Sequence, residues 1–220
     1  MHIYKILFFI MSLSPAVHSF EEGSVFNEDV KIIYRDYGPK DAEPILLVQG
    51  LGGQLINWPD HLIDFLISNN FRPIVFDNRD TGLSSRLTDD RFAEGNRSKT
   101  INSTYLKYYF RLPINPPYTL DDMASDAILI LDKLDIDKTH LLGMSMGGMI
   151  AQIIAANHPE RINSFTLIAS SISAPSPLNG PTRDVRRLLM KRSANPYSTN
   201  DERIERSKKI FSLIGLEGYD

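Results

Sequence analysis

The segment that decides the fold of this chain is Leu142-Gly143-Met144-Ser145-Met146-Gly147-Gly148. The residues before it, 139–142, predict a short strand, and the small and apolar residues 146–156 predict a buried helix. A serine between a strand and a helix, with a glycine two positions away on either side, is typical of a sharp turn that lifts the hydroxyl above a sheet. The segment therefore predicts that Ser145 is a nucleophile. The alternative is a glycine-rich turn with an ordinary serine at a helix N-terminus.

A second glycine-rich segment, Gln49-Gly50-Leu51-Gly52-Gly53, follows the apolar run 45–48, which predicts a strand buried on both faces. The backbone N–H of Leu51 and the N–H of Met146, at the start of the predicted helix, would together hold a developing oxyanion. The alternative, phosphate binding, is disfavoured because the segment has neither the dinucleotide spacing nor the lysine of a P-loop.

Strands and helices alternate along the rest of the chain. Further strands are predicted at 30–35, 73–76 and 165–169. One helix is predicted with Pro59 as its first residue, and another after Thr119. This order predicts an α/β fold, a mostly parallel twisted sheet with helices on both faces. Residues 78–118 read as polar and turn-rich, with an aromatic patch at Tyr105, Tyr108, Tyr109 and Phe110.

Composition excludes several classes of protein. The chain has 220 residues, no cysteine, 42% hydrophobic residues and a formal net charge of −3. It can build a core, but it has no disulfides, no thiolate metal site and no cysteine nucleophile. The charge gives no basic footprint for nucleic acid. No group of His, Asp and Glu has the spacing of metal ligands, so neither a metal nor a cofactor is predicted.

The N-terminus, residues 1–19, has the features of a signal peptide. Lys5 precedes an apolar run at 6–11, and the small Ser19 stands before Phe20. We therefore expect a secreted or periplasmic protein with no stable membrane insertion after cleavage. The alternative is an uncleaved anchor.

The sequence resembles the α/β-hydrolase fold family from about Phe26 to Ser173, in particular the serine esterases that include aclacinomycin methylesterase and the cofactor-free haloperoxidases. The resemblance rests on the two glycine-rich segments and on residues 76–84, 118–124 and 157–162. It implies a core at 20–173 and part of a helical cap at 174–220. It also implies a small-molecule carboxylic ester as substrate, with Ser145 as nucleophile and Leu51 and Met146 as oxyanion donors.

The resemblance also predicts a deficit. In this family the acid and the histidine of the triad follow the serine in the chain. The residues after Ser145 contain one histidine, His158, which is expected to end the helix. The segment directly after the strand at 165–169, residues 170–174, contains no carboxylate, and the later ones at Asp184, Asp201, Glu202 and Glu205 are expected on cap helices. The chain therefore reads as truncated, without the last strands, the triad acid and the triad histidine. We expect weak or no turnover.

Two alternatives stay open. The chain could be a non-catalytic binding protein built on half of the fold, in which case its last core strand would be an open edge that invites self-association. It could also be a hydrolase that uses a different base, for which His61 is the candidate.

Overall fold

The computed structural model describes residues 19–86 and 97–171, together with Glu205 and Lys208. The predicted signal peptide at 1–19 falls outside this range except for Ser19. The predicted cap at 174–220 also falls outside it, apart from Glu205 and Lys208, which form an ion pair at 2.8 Å. None of the helices within the described ranges is long and apolar enough to cross a membrane.

Six strands form one twisted sheet. Their bounds are β1 Phe20–Asn27, β2 Val30–Tyr37, β3 Glu43–Val48, β4 Phe71–Phe76, β5 Thr139–Met144 and β6 Ile162–Ile168. The order across the sheet is β1-β2-β4-β3-β5-β6. β1, β2 and β4 pair antiparallel, whereas β4, β3, β5 and β6 run parallel. The parallel part brings the carboxyl ends of β3, β4 and β5 to one end of the sheet, where loops carry functional groups.

The central strands are apolar on both faces because helices cover both. Leu46 and Val48 of β3 lie in one buried cluster, and Leu47 lies in the other. The first cluster includes side chains of α3 (Leu120–Lys133) and α4 (Met146–Asn157). The second includes side chains of α1 (Asp60–Ser68) and the buried indole of Trp58. The predicted α/β fold with helices on both faces is confirmed.

The start of α3 shows how sequence sets a helix boundary. The Thr119 hydroxyl accepts a hydrogen bond from the Asp122 N–H at 3.3 Å, and the Asp122 carboxylate accepts one from the Thr119 N–H at 2.6 Å. These reciprocal bonds satisfy N–H groups that a helix N-terminus otherwise leaves free. The backbone N–H and then the hydroxyl of Thr119 hold the pKa of Asp122 below its usual value.

The structure departs from the sequence prediction at three places. β1 was not predicted, because its two glutamates and Gly23 interrupt the alternation of apolar and polar residues that would indicate a strand. A helix, α2 (Arg97–Tyr109), stands where a turn-rich segment was expected. Pro59 is the N-cap of α1 rather than its first residue. None of these changes the order of the sheet around Ser145.

Candidate active site

Ser145 occupies the turn between β5 and α4 in a backbone conformation that few residues adopt. Its φ is 53° and its ψ is −119°, in a region that is strained for a residue with a Cβ. Such conformations cost about 1–3 kcal/mol and persist only where the surroundings impose them. The predicted sharp turn is therefore present at the predicted residue.

Hydrogen bonds on both sides of Ser145 impose this conformation. Its N–H donates to the Ile168 carbonyl at 2.8 Å, at the end of the neighbouring strand β6. Its carbonyl accepts from the Gly148 N–H at 2.9 Å and from the Ser170 hydroxyl at 2.8 Å. The backbone groups of Ser145 are thus fixed, while none of the hydrogen bonds described involves its side-chain hydroxyl. Sequence reasoning missed Ser170, whose only signal is its place directly after a predicted strand.

The glycines around Ser145 are required by close approach of the backbone. A Cβ on Gly143 would lie 2.6 Å from the Gly147 carbonyl oxygen. A Cβ on Gly147 would overlap the carbonyl group of Val48 and come within 2.7 Å of the Gln49 oxygen. The first turn of α4 therefore packs directly on the end of β3. This contact places the N-terminus of α4, with its free backbone N–H groups, beside the loop that follows β3.

The loop after β3 contacts Ser145 itself. A Cβ on Gly50 would lie 3.1 Å from the Ser145 Cβ and 3.7 Å from its Oγ. The next residue, Leu51, has a side chain that is 85% exposed and packs against no core. Met146 is the first residue of α4, so its N–H has no acceptor within the helix. The structure thus brings the loop of Leu51 and the N–H of Met146 to the same end of the sheet as Ser145, while their role as oxyanion donors stays a prediction.

A buried hydrogen-bond network holds the loop after β3. The Asn78 amide donates to the Gln49 carbonyl at 3.1 Å, and the Gln49 side-chain oxygen accepts from the Gly50 N–H at 3.3 Å. Both side chains are 1% exposed. Asn78 follows β4 and was not singled out from the sequence, where it lies within the segment 76–84. Its contact fixes the peptide group that precedes Gly50.

Asp77 is a structural carboxylate. One oxygen accepts from the Leu55 N–H at 2.7 Å and the other from the Leu83 N–H at 2.8 Å. Both oxygens are occupied by backbone groups, and a Cβ on Gly82 would overlap the carboxylate. These contacts give Asp77 a structural role in the loops that begin near Leu55 and Leu83.

A buried ion pair anchors the loop after β4 to α3. Two guanidinium nitrogens of Arg79 lie 2.8 and 2.6 Å from the carboxylate of Asp126, which also accepts from Asn27 at 2.8 Å. Burial alone would lower the pKa of Arg79, but hydrogen bonding and the charge of Asp126 raise it above its usual value. The ion pair holds the loop that carries Asn78.

The described residues include three histidines, which lie on β5, at the end of α4 and on α1. His140 is in the second position of β5, at the amino end of the sheet, with Nδ1 2.7 Å from the Ser164 Oγ and Nε2 3.4 Å from a Glu43 carboxylate oxygen. His158 caps the C-terminus of α4, as predicted. His61 is exposed on α1. Among the hydrogen bonds of residues 19–86 and 97–171, none joins a histidine to Ser145.

Within the described chain no group of three or more His, Asp or Glu side chains is arranged to bind a metal ion. What the site offers chemically is a serine hydroxyl at a helix N-terminus, beside a glycine loop.

Comparison with known proteins agrees with this geometry. The sequence profile of the alpha/beta hydrolase fold matches residues 43–203. The chain is 27% identical over 209 residues to rhodomycin D methylesterase of Streptomyces peucetius, covering 88% of this chain and 62% of that protein. It is 29% identical over 157 residues to a putative carbamate hydrolase, RutD, of Variovorax paradoxus, covering 71% of this chain and 48% of that protein. It therefore spans about half to three fifths of the length of these relatives.

Solved structures show the same fold. The 2-hydroxy-6-oxo-6-phenylhexa-2,4-dienoate hydrolase of Rhodococcus sp. strain RHA1 matches with a TM-score of 0.55 at 19% identity, over 78% of this chain and 53% of that one. A hydrolase of Pseudomonas aeruginosa PA01 matches with a TM-score of 0.53 at 23% identity, over 82% and 55%. The sheet order, the turn at Ser145 and the matched profile lead to one conclusion: the chain belongs to the α/β-hydrolase family.

Proposed function

We propose that Ser145 is the nucleophile of a carboxylic ester hydrolase and that the N–H groups of Leu51 and Met146 form its oxyanion hole. The observation that carries the proposal is the strained conformation of Ser145 at the N-terminus of α4, with Gly50 packed against it. A backbone strain that costs stability yet is held by hydrogen bonds on both sides is typical of catalytic turns. Membership of a hydrolase family supports the same reaction class.

The proposed reaction has two steps. The Ser145 Oγ attacks the ester carbonyl carbon, its proton passes to a base, and the carbonyl oxygen becomes an oxyanion facing the two N–H groups. The carbon–oxygen bond to the alcohol then breaks, the alcohol leaves with a proton, and an acyl-enzyme remains. Water attacks that ester in the same way and releases the acid and the free serine.

The proposed reaction needs a base that takes the proton of the Ser145 hydroxyl. No histidine in the described ranges hydrogen-bonds to Ser145, and the carboxylate oxygens of Asp77 accept backbone N–H groups. We therefore expect the chain of residues 1–220 to turn over esters slowly. His61 is the alternative base, and the replacement His61→Ala tests it directly.

A small-molecule ester is the proposed substrate class. The relatives in support include proteins named as methylesterases, one of them for rhodomycin D. The signal-like features of residues 1–19 support a secreted or periplasmic location, which identification of the N-terminal residue of the exported protein would test.

The experiment separates serine reactivity from turnover. Because no described histidine is bonded to Ser145, a fluorophosphonate probe should label the parent chain slowly at Ser145, and Ser145→Ala should abolish that labelling. The matched control is Ser125→Ala, which removes an exposed serine hydroxyl on α3 that donates to the Asp121 carbonyl at 3.0 Å, and it should label like the parent. Hydrolysis of a p-nitrophenyl ester is measured in parallel. Labelling that persists in Ser145→Ala would refute the nucleophile assignment.

A second candidate function, binding without catalysis, has one observation in its favour. β6 contains no charged residue, and its Phe165 and Ile168 side chains are 49% and 41% exposed. An uncharged, exposed edge strand can pair with another strand. Size-exclusion chromatography of the parent and of Phe165→Lys tests this: a complex that the replacement dissociates supports pairing, and a monomer in both argues against it.

A further inference from the structure

The end of α2 and the residues after it form an exposed surface of unusual composition. We call residues 106–114 the aromatic–basic segment; it reads Leu106-Lys107-Tyr108-Tyr109-Phe110-Arg111-Leu112-Pro113-Ile114. Every residue from 106 to 117 is exposed. Tyr109 is 74% exposed and Phe110 is 60% exposed. Contiguous apolar side chains on a surface mark an interaction site more often than scattered ones do.

These side chains cover nothing in the described core. Neither of the two buried clusters includes a residue between 97 and 114. Tyr109 and Phe110 instead contact each other edge to face, with ring centroids 5.3 Å apart. The aromatic rings are thus arranged as a pair that faces outward rather than as part of a core.

The charge around the segment has one sign. Residues 97–119 contain Arg97, Lys99, Lys107 and Arg111 and no acidic residue, in a chain with a net charge of −3. Neither Lys107 nor Arg111 forms an ion pair within the part of the chain that the structure describes. A local excess of positive charge beside exposed aromatic rings is complementary to an anionic surface.

The backbone at Arg111 adds an independent observation. Arg111 has a φ of 54°. The Leu112 N–H donates to the Lys107 carbonyl at 2.8 Å and the Arg111 N–H donates to the Tyr108 carbonyl at 3.1 Å, the pattern that ends helices at a left-handed residue. Glycine is favoured at that position. The chain has an arginine there instead, although its backbone conformation is unfavourable for a residue with a Cβ.

We propose that the aromatic–basic segment docks on an anionic lipid surface. Tyr109, Phe110 and the neighbouring aliphatic side chains would enter the interfacial layer, while Lys107 and Arg111 would contact the headgroup phosphates. A second copy of the chain is a poorer occupant because two copies of the segment would bring charges of the same sign together. Single-stranded nucleic acid is poorer as well, since Leu106, Leu112 and Ile114 offer no ring on which bases stack.

A local fluorescence reporter tests the docking. The chain has one tryptophan, Trp58, which is 5% exposed and packs in the core, so its emission is a constant background. Tyr109→Trp adds a second indole within the segment. We expect its emission to shift to the blue on vesicles of phosphatidylcholine with phosphatidylglycerol, and to shift little on phosphatidylcholine alone or at high salt. The full chain is used, because the local reporter separates this segment from the apolar N-terminus.

Matched variants in the Tyr109→Trp background identify the side chains. Lys107→Gln and Arg111→Gly should each weaken binding about fivefold, since a basic residue near an anionic membrane contributes about 1 kcal/mol. Arg111→Gly should keep the helix end intact, because glycine suits its backbone. Phe110→Ser should weaken binding further. Phe65→Ser, which replaces a phenylalanine of equal exposure (61% against 60%) on α1, and the charge control Lys138→Gln should leave binding unchanged.

The outcomes decide the proposal. No blue shift on anionic vesicles, an equal shift on neutral vesicles, or Phe110→Ser equal to Phe65→Ser would overturn it. A protein-concentration-dependent complex that Phe110→Ser dissociates, without vesicle binding, would overturn it in favour of a second copy. Ser145→Ala should bind vesicles like the parent, so a failed nucleophile assignment and a failed docking proposal give different results.

Discussion

The two ends of the parallel sheet present a serine each, and they differ in kind. At the carboxyl end, Ser145 has a strained backbone, a helix N-terminus and a glycine loop against it, and no described histidine bonded to it. At the amino end, Ser164 has the imidazole of His140 at 2.7 Å, with a Glu43 carboxylate oxygen 3.4 Å from the other imidazole nitrogen. Ser164 lies within β6, beside a register shift in the pairing of β6 with β5. Proximity of an imidazole is easily produced by strand pairing, whereas oriented backbone N–H groups require a particular fold.

Each end also has a buried arginine–aspartate pair, and these pairs allow the ends to be perturbed separately. Arg72 donates to Asp36 at 2.9 and 2.8 Å near the amino end of β4, and Arg79 holds Asp126 beyond its carboxyl end. The first pair fixes strands β2 and β4. The second fixes the loop that supports Gln49.

The largest expected effects come from breaking these pairs. Arg72→Met and Arg79→Met should each lower the free energy of unfolding by about 3–5 kcal/mol, because each leaves a buried carboxylate without its arginine. Urea unfolding measures this. In a Ser145→Cys background, whose thiol is the only one in the chain, only Arg79→Met should also change the rate of alkylation by iodoacetamide. An equal change from Arg72→Met would contradict the independence of the two ends.

A smaller effect is expected from Gly147→Ala. The added methyl group meets the Val48 carbonyl, so the first turn of α4 must shift at a cost of about 1–3 kcal/mol. The shift moves Met146 relative to Gly50 and should lower the rate at which the fluorophosphonate probe labels Ser145. The control is Ala156→Gly, at an exposed position near the end of the same helix, which should leave that reactivity intact.

A cysteine at each of the two serine positions reports the electrostatic environment of that position through the pKa of its thiol. In Ser145→Cys the helix N-terminus should lower the pKa of the introduced thiol below its usual value of about 8.5. In Ser164→Cys there is no helix N-terminus, and any lowering must come from His140. The pH dependence of alkylation gives both values. A lower pKa in Ser164→Cys would show that the imidazole contact outweighs the backbone environment.

The smallest expected effect is a pH dependence at the amino end. Burial alone would raise the pKa of Asp36, but hydrogen bonds from Arg72 and Lys40 hold it below the usual value of 3.8. A carboxyl whose pKa is depressed in the folded state stabilises the protein above its unfolded pKa, and that contribution is lost as the pH falls through the folded value. Acid titration of urea stability should therefore decline more steeply below about pH 4 in the parent than in Asp36→Asn.

The sequence predicted the elements in which local and tertiary preferences agree. The strands at 45–48 and 73–76 are apolar on both faces, and Ser145 stands between two recognisable elements. β1 escaped prediction because an edge strand contacts solvent and needs no apolar alternation. The contacts of Ser170 and Asn78 could not be predicted, because their partners lie 25 and 29 positions away in the sequence. Such contacts depend on the register of the sheet, which no local pattern encodes.

The order of strands has a consequence for synthesis. β3 pairs with β4 soon after both leave the ribosome, but its other edge waits for β5, since Ile45 pairs with His140, 95 residues later. At a translation rate of about 5–20 residues per second, that edge stays open for roughly 5–20 s. During this interval Leu46, Leu47 and Val48, which end fully buried, have no partner strand on one side. Among the strand pairings of the described residues, the pairing of β3 with β5 therefore leaves a sheet edge open for the longest time.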